Sequence, residues 1–248
     1  MADTPAGLDP ATPLNNQVAL VTGAARGIGE AIALRLARMG ATVGLIARDQ
    51  ARLEQVSAAI EHNGGKALVM PCDLTDANAV AAMGERVGKE CGRCDVLVNN
   101  AGVSVLRKPL VDLPVDEWDQ MMHTNLRAPY LMIRALAPIM IKARSGHIIN
   151  ISSLAGRSVL PDGAAYSASK WGLNGLTYSI AEELRQYNVR ASVIAPGSVN
   201  THFGAAGSNK DRTRMIQPDD VAQVVAMLVT QAPTSFVSEV LLRPTMKP

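Results

Sequence analysis

Short apolar runs alternate along the chain with longer stretches in which apolar residues recur every three or four positions. Val18 to Val21, Val43 to Ile46, Ala67 to Met70, Val96 to Val98, Ile148 to Ile151, Ala191 to Ala195 and Val240 to Leu242 read as strands. They are too short for helices and show no clean polar alternation, the pattern of parallel strands covered on both faces. Between them, Ile28 to Arg38, Arg52 to His62, Asp76 to Glu90, Glu117 to Lys142, Tyr166 to Tyr187 and Asp219 to Thr230 carry helical periodicity. Gly40 suits the end of the first helix and Thr75 the N-cap of the third, while Pro129 and Pro138 predict a bend in the fourth. Strand and helix in strict alternation imply right-handed crossovers. The expected fold is α/β, a doubly wound parallel sheet of about seven strands flanked by helices on both faces, of the Rossmann type.

Residues 1–14 are rich in Pro, Ala and Asp without periodicity and read as a flexible leader. Residues 15–248 then form one domain, because no composition break interrupts them. No apolar run approaches the length of a membrane span, and the first sixteen residues lack a basic-then-apolar secretion signal, so a cytoplasmic location is expected. A formal charge of +2, with no basic stripe, gives no case for nucleic acid as a partner. Cys91 and Cys94 form a C-x-x-C pair with no second pair to complete a zinc site, so no metal is expected. With Cys72 they read as core thiols.

Candidate chemistry begins after the first strand, at Thr22-Gly23-Ala24-Ala25-Arg26-Gly27-Ile28-Gly29. Glycines here let backbone N–H groups approach a pyrophosphate, and the following helix adds the partial positive charge of its N-terminus. At the end of the second strand, an acidic side chain would hold a free ribose 2′-hydroxyl and an arginine a 2′-phosphate. Ala47 occupies the acidic position and Arg48 follows it, with Arg26 in the glycine turn, which points to NADP(H). The competing reading leaves both arginines in solvent and gives the ribose to Asp49.

Tyr166 and Lys170 are four apart near the start of a helix and share a face. A cation about 4 Å from a phenol contributes ~4 kcal/mol at an effective dielectric near 20, enough to lower its pKa by a few units. Ser152 and Ser153 end the fifth strand, Asn99-Asn100-Ala101-Gly102 follows the fourth, and Pro196 to Thr201 follows the sixth. All emerge on one edge of the sheet, where such folds bind ligands.

In the ordered set TGAARGIG, CDLTD, NNAG, HTNLRAPY, INISS, YSASK and APGSVNT, the chain resembles the short-chain dehydrogenase/reductase family, in its short single-domain branch, over roughly residues 17 to 243. The resemblance implies a catalytic tetrad of Asn125, Ser153, Tyr166 and Lys170. Tyr166 exchanges the proton, Lys170 lowers its pKa and bonds the nicotinamide ribose, Ser153 orients the substrate oxygen, and Asn125 holds a water on a proton path. Gly23, Arg26, Gly27, Ile28 and Gly29 match the pyrophosphate turn, Arg48 the 2′-phosphate selector, and Asp73 and Leu74 the adenine contact. Asn100, Ala101 and Gly102 line the ribose side, and Pro196, Gly197, Val199 and Thr201 the nicotinamide end. Asn99 is implied to tether neighbouring strands.

The implied activity is NADPH-dependent reduction of a ketone or aldehyde, or its reverse, on a small-molecule substrate, in a homotetramer or dimer. A 3-oxoacyl thioester reductase is the nearest alternative; Arg127, Lys142 and Arg144 are its candidate docking patch for an acidic carrier. A non-catalytic dinucleotide-binding regulator is the alternative of another class. The short loop at about residues 200–217, with His202 and Phe203, is the expected substrate cover. Where family members often end in Asp-Gly-Gly, this chain has Pro244-Thr245-Met246-Lys247-Pro248, which leaves subunit contacts through that end open.

Overall fold

In a computed structural model, which describes residues 12–105, 108–203 and 211–248, every expected strand forms. They are β1 (Val18–Thr22), β2 (Thr42–Ala47), β3 (Lys66–Pro71), β4 (Val96–Asn99), β5 (Gly146–Ile151), β6 (Val189–Pro196) and β7 (Glu239–Leu242). All pair in parallel, in the order β3-β2-β1-β4-β5-β6-β7. Because the order reverses between β1 and β4, the loops leaving these two strands diverge to opposite faces and open a crevice.

Helices α1 (Gly27–Arg38), α2 (Gln50–His62) and α7 (Pro218–Val229) cover one face. Helices α3 (Ala77–Glu90), α5 (Ala128–Ala143) and α6 (Ala164–Leu184) cover the other. Each layer has its own core. Val21, Val43, Ile149 and Ile194 meet α1 and α7, while Leu20, Leu97, Ile148 and Ala191 meet α3, α5 and α6. Period-two alternation therefore exists in these strands, but both faces are apolar and it carries no polar signal. Among the described residues, no helix is long and apolar enough to cross a membrane.

Three expectations change. The packed chain starts inside the expected leader: Leu14 is buried and its N–H donates to the Met39 carbonyl at 2.9 Å, while residues 1–11 of that leader lie outside the described residues. Asp76, not Thr75, caps α3, accepting from the N–H groups of Asn78 and Ala79 at 2.8 and 3.2 Å. The long helix expected from Glu117 to Lys142 is two helices, α4 (Val115–Met122) and α5, joined through a π turn at His123–Arg127. Pro129 sits in the first turn of α5 and has no N–H to return to the carbonyl four residues back, that of Asn125, so the ladder loosens there. Pro138 lies inside α5.

The cysteine reading matches the packing in part. Cys72 and Cys94 are buried, and Cys91 is half-buried against the same core. Burial pushes the Cys94 thiol far up.

A polar chain crosses this otherwise apolar interior. Asn99 Nδ2 donates to Asn150 Oδ1 at 2.8 Å, Asn150 Nδ2 to Thr177 Oγ1 at 2.8 Å, and Thr177 Oγ1 to the Leu173 carbonyl at 2.6 Å. It ties β4 to β5 and β5 to α6, the element that carries Tyr166 and Lys170. Asn150→Ala should destabilise the protein by about 2–3 kcal/mol, because it leaves the Asn99 amide and the Thr177 hydroxyl short of a partner in the interior. Urea unfolding monitored by circular dichroism measures this, and a change under 0.5 kcal/mol would contradict it.

Candidate active site

A cleft of about 1420 Å³ runs along the C-terminal edge of the sheet across the β1/β4 crevice. Its floor is set by Thr22, whose Oγ1 accepts from the N–H groups of Asn100 at 2.9 Å and Ala101 at 3.0 Å. Asn100 Nδ2 returns a bond to the Thr22 carbonyl at 2.9 Å. Gly23 has φ +65°, and a Cβ there would lie 2.9 Å from Asn100 Nδ2. At Gly29 a Cβ would lie 2.2 Å from the Gly23 carbonyl oxygen. The turn closes this tightly only with glycine at both points.

The residues present fit a nicotinamide dinucleotide. Asp49 and Asp76 cap α2 and α3 with side-chain hydrogen bonds, whereas Arg26 at the N-cap of α1 makes none, so the N–H groups of the first α1 turn face the cleft uncapped by any side chain. Ala47 and Arg48 line the end of β2. Asp49, the rival ribose ligand, is committed elsewhere, accepting from Arg52 N at 3.1 Å and pairing with Arg52 Nε at 3.2 Å. The opposite wall contributes Arg212, which lies beside Arg26 and Thr201. Asp73 accepts from Thr75 N and Oγ1 at 2.9 and 2.8 Å, and these bonds, aided by Arg48, hold its carboxyl below the usual range.

Of the site residues named from the sequence, all line the cleft except Gly29 and Asn125. Gly29 is buried behind the turn it permits. Asn125 is fully buried in the π turn, where its amide exchanges hydrogen bonds with the Val103 backbone, both at 2.8 Å, and donates to Ser169 Oγ at 3.1 Å. Its side chain therefore pins the loop after β4 onto α6. It does not reach into the cleft.

At the other end of the cleft Ser153, Tyr166 and Lys170 converge. Ser153 hydrogen-bonds the Tyr166 phenol and accepts from Ala155 N at 3.1 Å. Ser152 instead turns inward, donating weakly to the Lys170 carbonyl at 3.4 Å. Lys170 Nζ lies 5.8 Å from the Tyr166 ring centroid and donates to the Ile151 carbonyl at 2.9 Å. Phe203 stands 6.1 Å from the same ring, at a tilt.

Burial reverses the protonation order expected from the pair alone. Desolvation pushes the Tyr166 phenol up to about 12, against an opposing hydrogen bond from Ser153, and pushes the Lys170 ammonium down to about 8. Both groups have lost water, and the lone cation beside the phenol does not offset that loss.

Several lining residues carried no signal in the sequence: Gln120, His123, Val159, Arg243, Met246 and Lys247. Their place follows from long-range packing. The main-chain N–H of Gly197 donates to the Leu242 carbonyl at 2.8 Å, and a Cβ on Gly197 would touch Pro244 at 3.1 Å and Leu154 at 3.2 Å. The tail after β7 is thereby carried to the substrate end. His202 lines the cleft mouth; His147 is buried at the opposite sheet edge, bonded through Nε2 to Ser192 Oγ at 2.8 Å. Residues 204–210 of the expected substrate loop lie outside the described residues.

The candidate carrier patch does not assemble. Arg127 and Lys142 lie at opposite ends of α5, separated by about 22 Å at 1.5 Å per residue, and Arg127 is bonded to the Thr75 carbonyl at 2.8 Å.

This fold and site define an oxidoreductase of the dinucleotide-binding, tyrosine–lysine kind. The short chain dehydrogenase family profile matches residues 17–212, and the chain belongs to that family. A solved metagenomic short-chain oxidoreductase in complex with NADP is 54% identical, with a TM-score of 0.84, over 94% of this chain and 99% of that one. An alcohol dehydrogenase from the archaeon Thermococcus sibiricus, complexed with 5-hydroxy-NADP, is 30% identical, with a TM-score of 0.87, over 94% and 98%. An uncharacterised oxidoreductase of Staphylococcus aureus strain MW2 is 35% identical over 94% of this chain and 99% of its own.

A buried ammonium with its pKa lowered to about 8 weakens the fold below that pH, because the unfolded chain binds the proton more tightly. The penalty is full below pH 8 and fades as pH rises towards 10.5, the unfolded value. Lys170→Met should therefore raise the melting temperature of the cofactor-free protein at pH 7, with a gain that shrinks by pH 10. Thermal scans at the two pH values measure it, and a lower melting temperature at pH 7 would contradict it.

Proposed function

We propose that the protein reduces a ketone or aldehyde carbonyl to an alcohol with NADPH, or runs the reverse reaction, using Tyr166 as the acid–base group. The observation that carries this reading is the convergence of Ser153, Tyr166 and Lys170 in one cleft with an uncapped helix end and an arginine at the ribose-selecting position. Bound along the cleft, the reduced cofactor supplies the hydride.

The chain's own groups handle the oxygen. Ser153 Oγ accepts from Ala155 N–H and turns its proton to the Tyr166 phenol oxygen, so a substrate oxygen entering between the two hydroxyls takes that proton in the phenol's place. The phenol, kept protonated at neutral pH by burial, gives its proton as negative charge develops on that oxygen. Lys170, still largely an ammonium at pH 7, stabilises the phenolate left behind by on the order of 3 kcal/mol at an effective dielectric near 20. The main-chain carbonyl of Asn125, released from the α-helical ladder by Pro129, is the acceptor for the water of the proton path.

NADP(H) over NAD(H) is supported by Arg48 and Arg26, by the commitment of Asp49 to α2, and by the NADP that the metagenomic relative binds. A complete tetrad supports a catalyst over a regulator, and the scattered cations on α5 favour small carbonyl compounds over carrier-bound thioesters. A homotetramer is part of the proposal, supported by Tyr130 and Trp171, which stand 46% and 51% exposed on α5 and α6.

Tyr166→Phe should lower NADPH-dependent carbonyl reduction by about 100-fold or more while NADPH still binds. Stopped-flow oxidation of NADPH over a panel of aldehydes, diketones and keto esters measures turnover, and an undiminished rate would remove the assignment. Arg48→Asp should cut the preference for NADPH over NADH at least tenfold in fluorescence titrations; an unchanged ratio would remove the selector role.

A further inference from the structure

We infer that Arg243 and Lys247 form an anion-binding subsite at the substrate end of the cleft, so that the preferred carbonyl substrate carries a carboxylate or phosphate on an apolar body. The inference deepens the proposed reductase reading and rests on it for the word substrate.

The tail after β7 is not a loose end. Gly197 N–H holds the Leu242 carbonyl at 2.8 Å, and Pro244 packs into the space that a Cβ on Gly197 would need, next to Leu154. Pro244 fixes its own φ and carries no N–H, so the chain leaves the sheet at that point. From there Met246 and Lys247 reach the cleft wall, with Arg243 at its start. The substrate end is thus built from the Ser153–Leu160 segment, Phe203 and this tail, with Tyr166 at its floor.

Charge is distributed unevenly along the cleft. Among the described residues that line it, the side-chain carboxylates are Asp49 and Asp73. Both lie on the adenosine side, and both are occupied, Asp49 by Arg52 and Asp73 by Thr75. At the substrate end the walls are Leu154, Val159, Leu160, Phe203 and Met246, and the side-chain charges are Arg243 and Lys247. Neither cation has a carboxylate within ion-pair distance among the described residues. By contrast Arg157 and Arg214 are ion-paired, to Glu239 at 2.6 Å and to Asp211 at 3.1 Å, while Arg26, Arg48 and Arg212 line the cleft elsewhere. Two cations without an ion-pair partner among the described residues, set beside apolar side chains with no side-chain carboxylate at that end and with the Pro248 carboxylate on the same wall paired to neither, select a ligand that is apolar in the middle and negative at one end.

The test uses inert probes, so it does not depend on turnover. 4-Phenylbutanoate, its amide and 3-phenylpropyl phosphate are titrated by calorimetry into the full-length protein saturated with NADP+. The carboxylate should bind at least tenfold more tightly than the amide, and the ratio should fall to about one in the Arg243→Gln/Lys247→Gln double variant and below one in Arg243→Glu. Tighter binding of the phosphate than of the carboxylate places the anion on a phosphorylated substrate, and the opposite order places it on a keto acid; both orders uphold the subsite. A wild-type ratio near one, or a ratio that the double variant leaves intact, overturns it. Reduction of neutral ketones without carboxylate preference defeats the subsite alone, whereas carboxylate preference without any carbonyl turnover defeats the reductase reading alone.

Discussion

The hydroxyl of Thr22 is the point on which the cleft turns. It is almost fully buried and accepts two backbone N–H bonds from the loop after β4 while sitting at the start of the glycine turn after β1. These are the two strands between which the sheet order reverses. Together with the Asn100 amide, which donates to the Thr22 carbonyl, this hydroxyl fixes the separation of the two diverging loops beyond the last ladder pair, Val21 and Val98. The floor of the cleft and the loop leading to Asn125 are thus held by that hydroxyl and the Asn100 amide.

A second polar relay does the same work for the catalytic end. The Asn99, Asn150 and Thr177 chain positions α6 relative to the strands, and Asn125 clasps the Val103 backbone and Ser169 on α6. The site is therefore suspended between two polar struts inside an apolar molecule. Buried amides in such relays contribute little net stability when satisfied and cost much when broken, so their value is in fixing one arrangement.

Sheet, layers and much of the cleft lining were legible in the sequence because they rest on local signals: apolar runs, caps, glycines at a turn. Thr22, Arg48, Ser153 and Tyr166 each follow directly on a strand end or open a helix, so topology alone brings them to one edge. What the sequence hid is long-range or energetic. The split at His123–Arg127 depends on which side of Asn125 the ladder loses its donor, and two prolines in one apolar helix predict a bend without saying where. The Asn125 side chain is bonded to the Val103 backbone and Ser169, a pairing that sequence spacing cannot show. Nor does the tail announce itself, since Arg243 to Pro248 has no periodicity and reaches the cleft only through Gly197 and Leu242.

The protonation states of Tyr166 and Lys170 carry this lesson into the chemistry. Spacing of four on a helix argues for a lowered phenol, because a bare Coulomb term is all that spacing supplies. The folded chain adds desolvation of both partners, which keeps the phenol neutral and draws the ammonium towards neutrality. In that state the phenol holds its proton at neutral pH and the ammonium beside it is mostly charged. Burial that weakens the fold at Lys170 is the same burial that keeps the Tyr166 phenol protonated, so the stability of this site and its protonation are two readings of one desolvation.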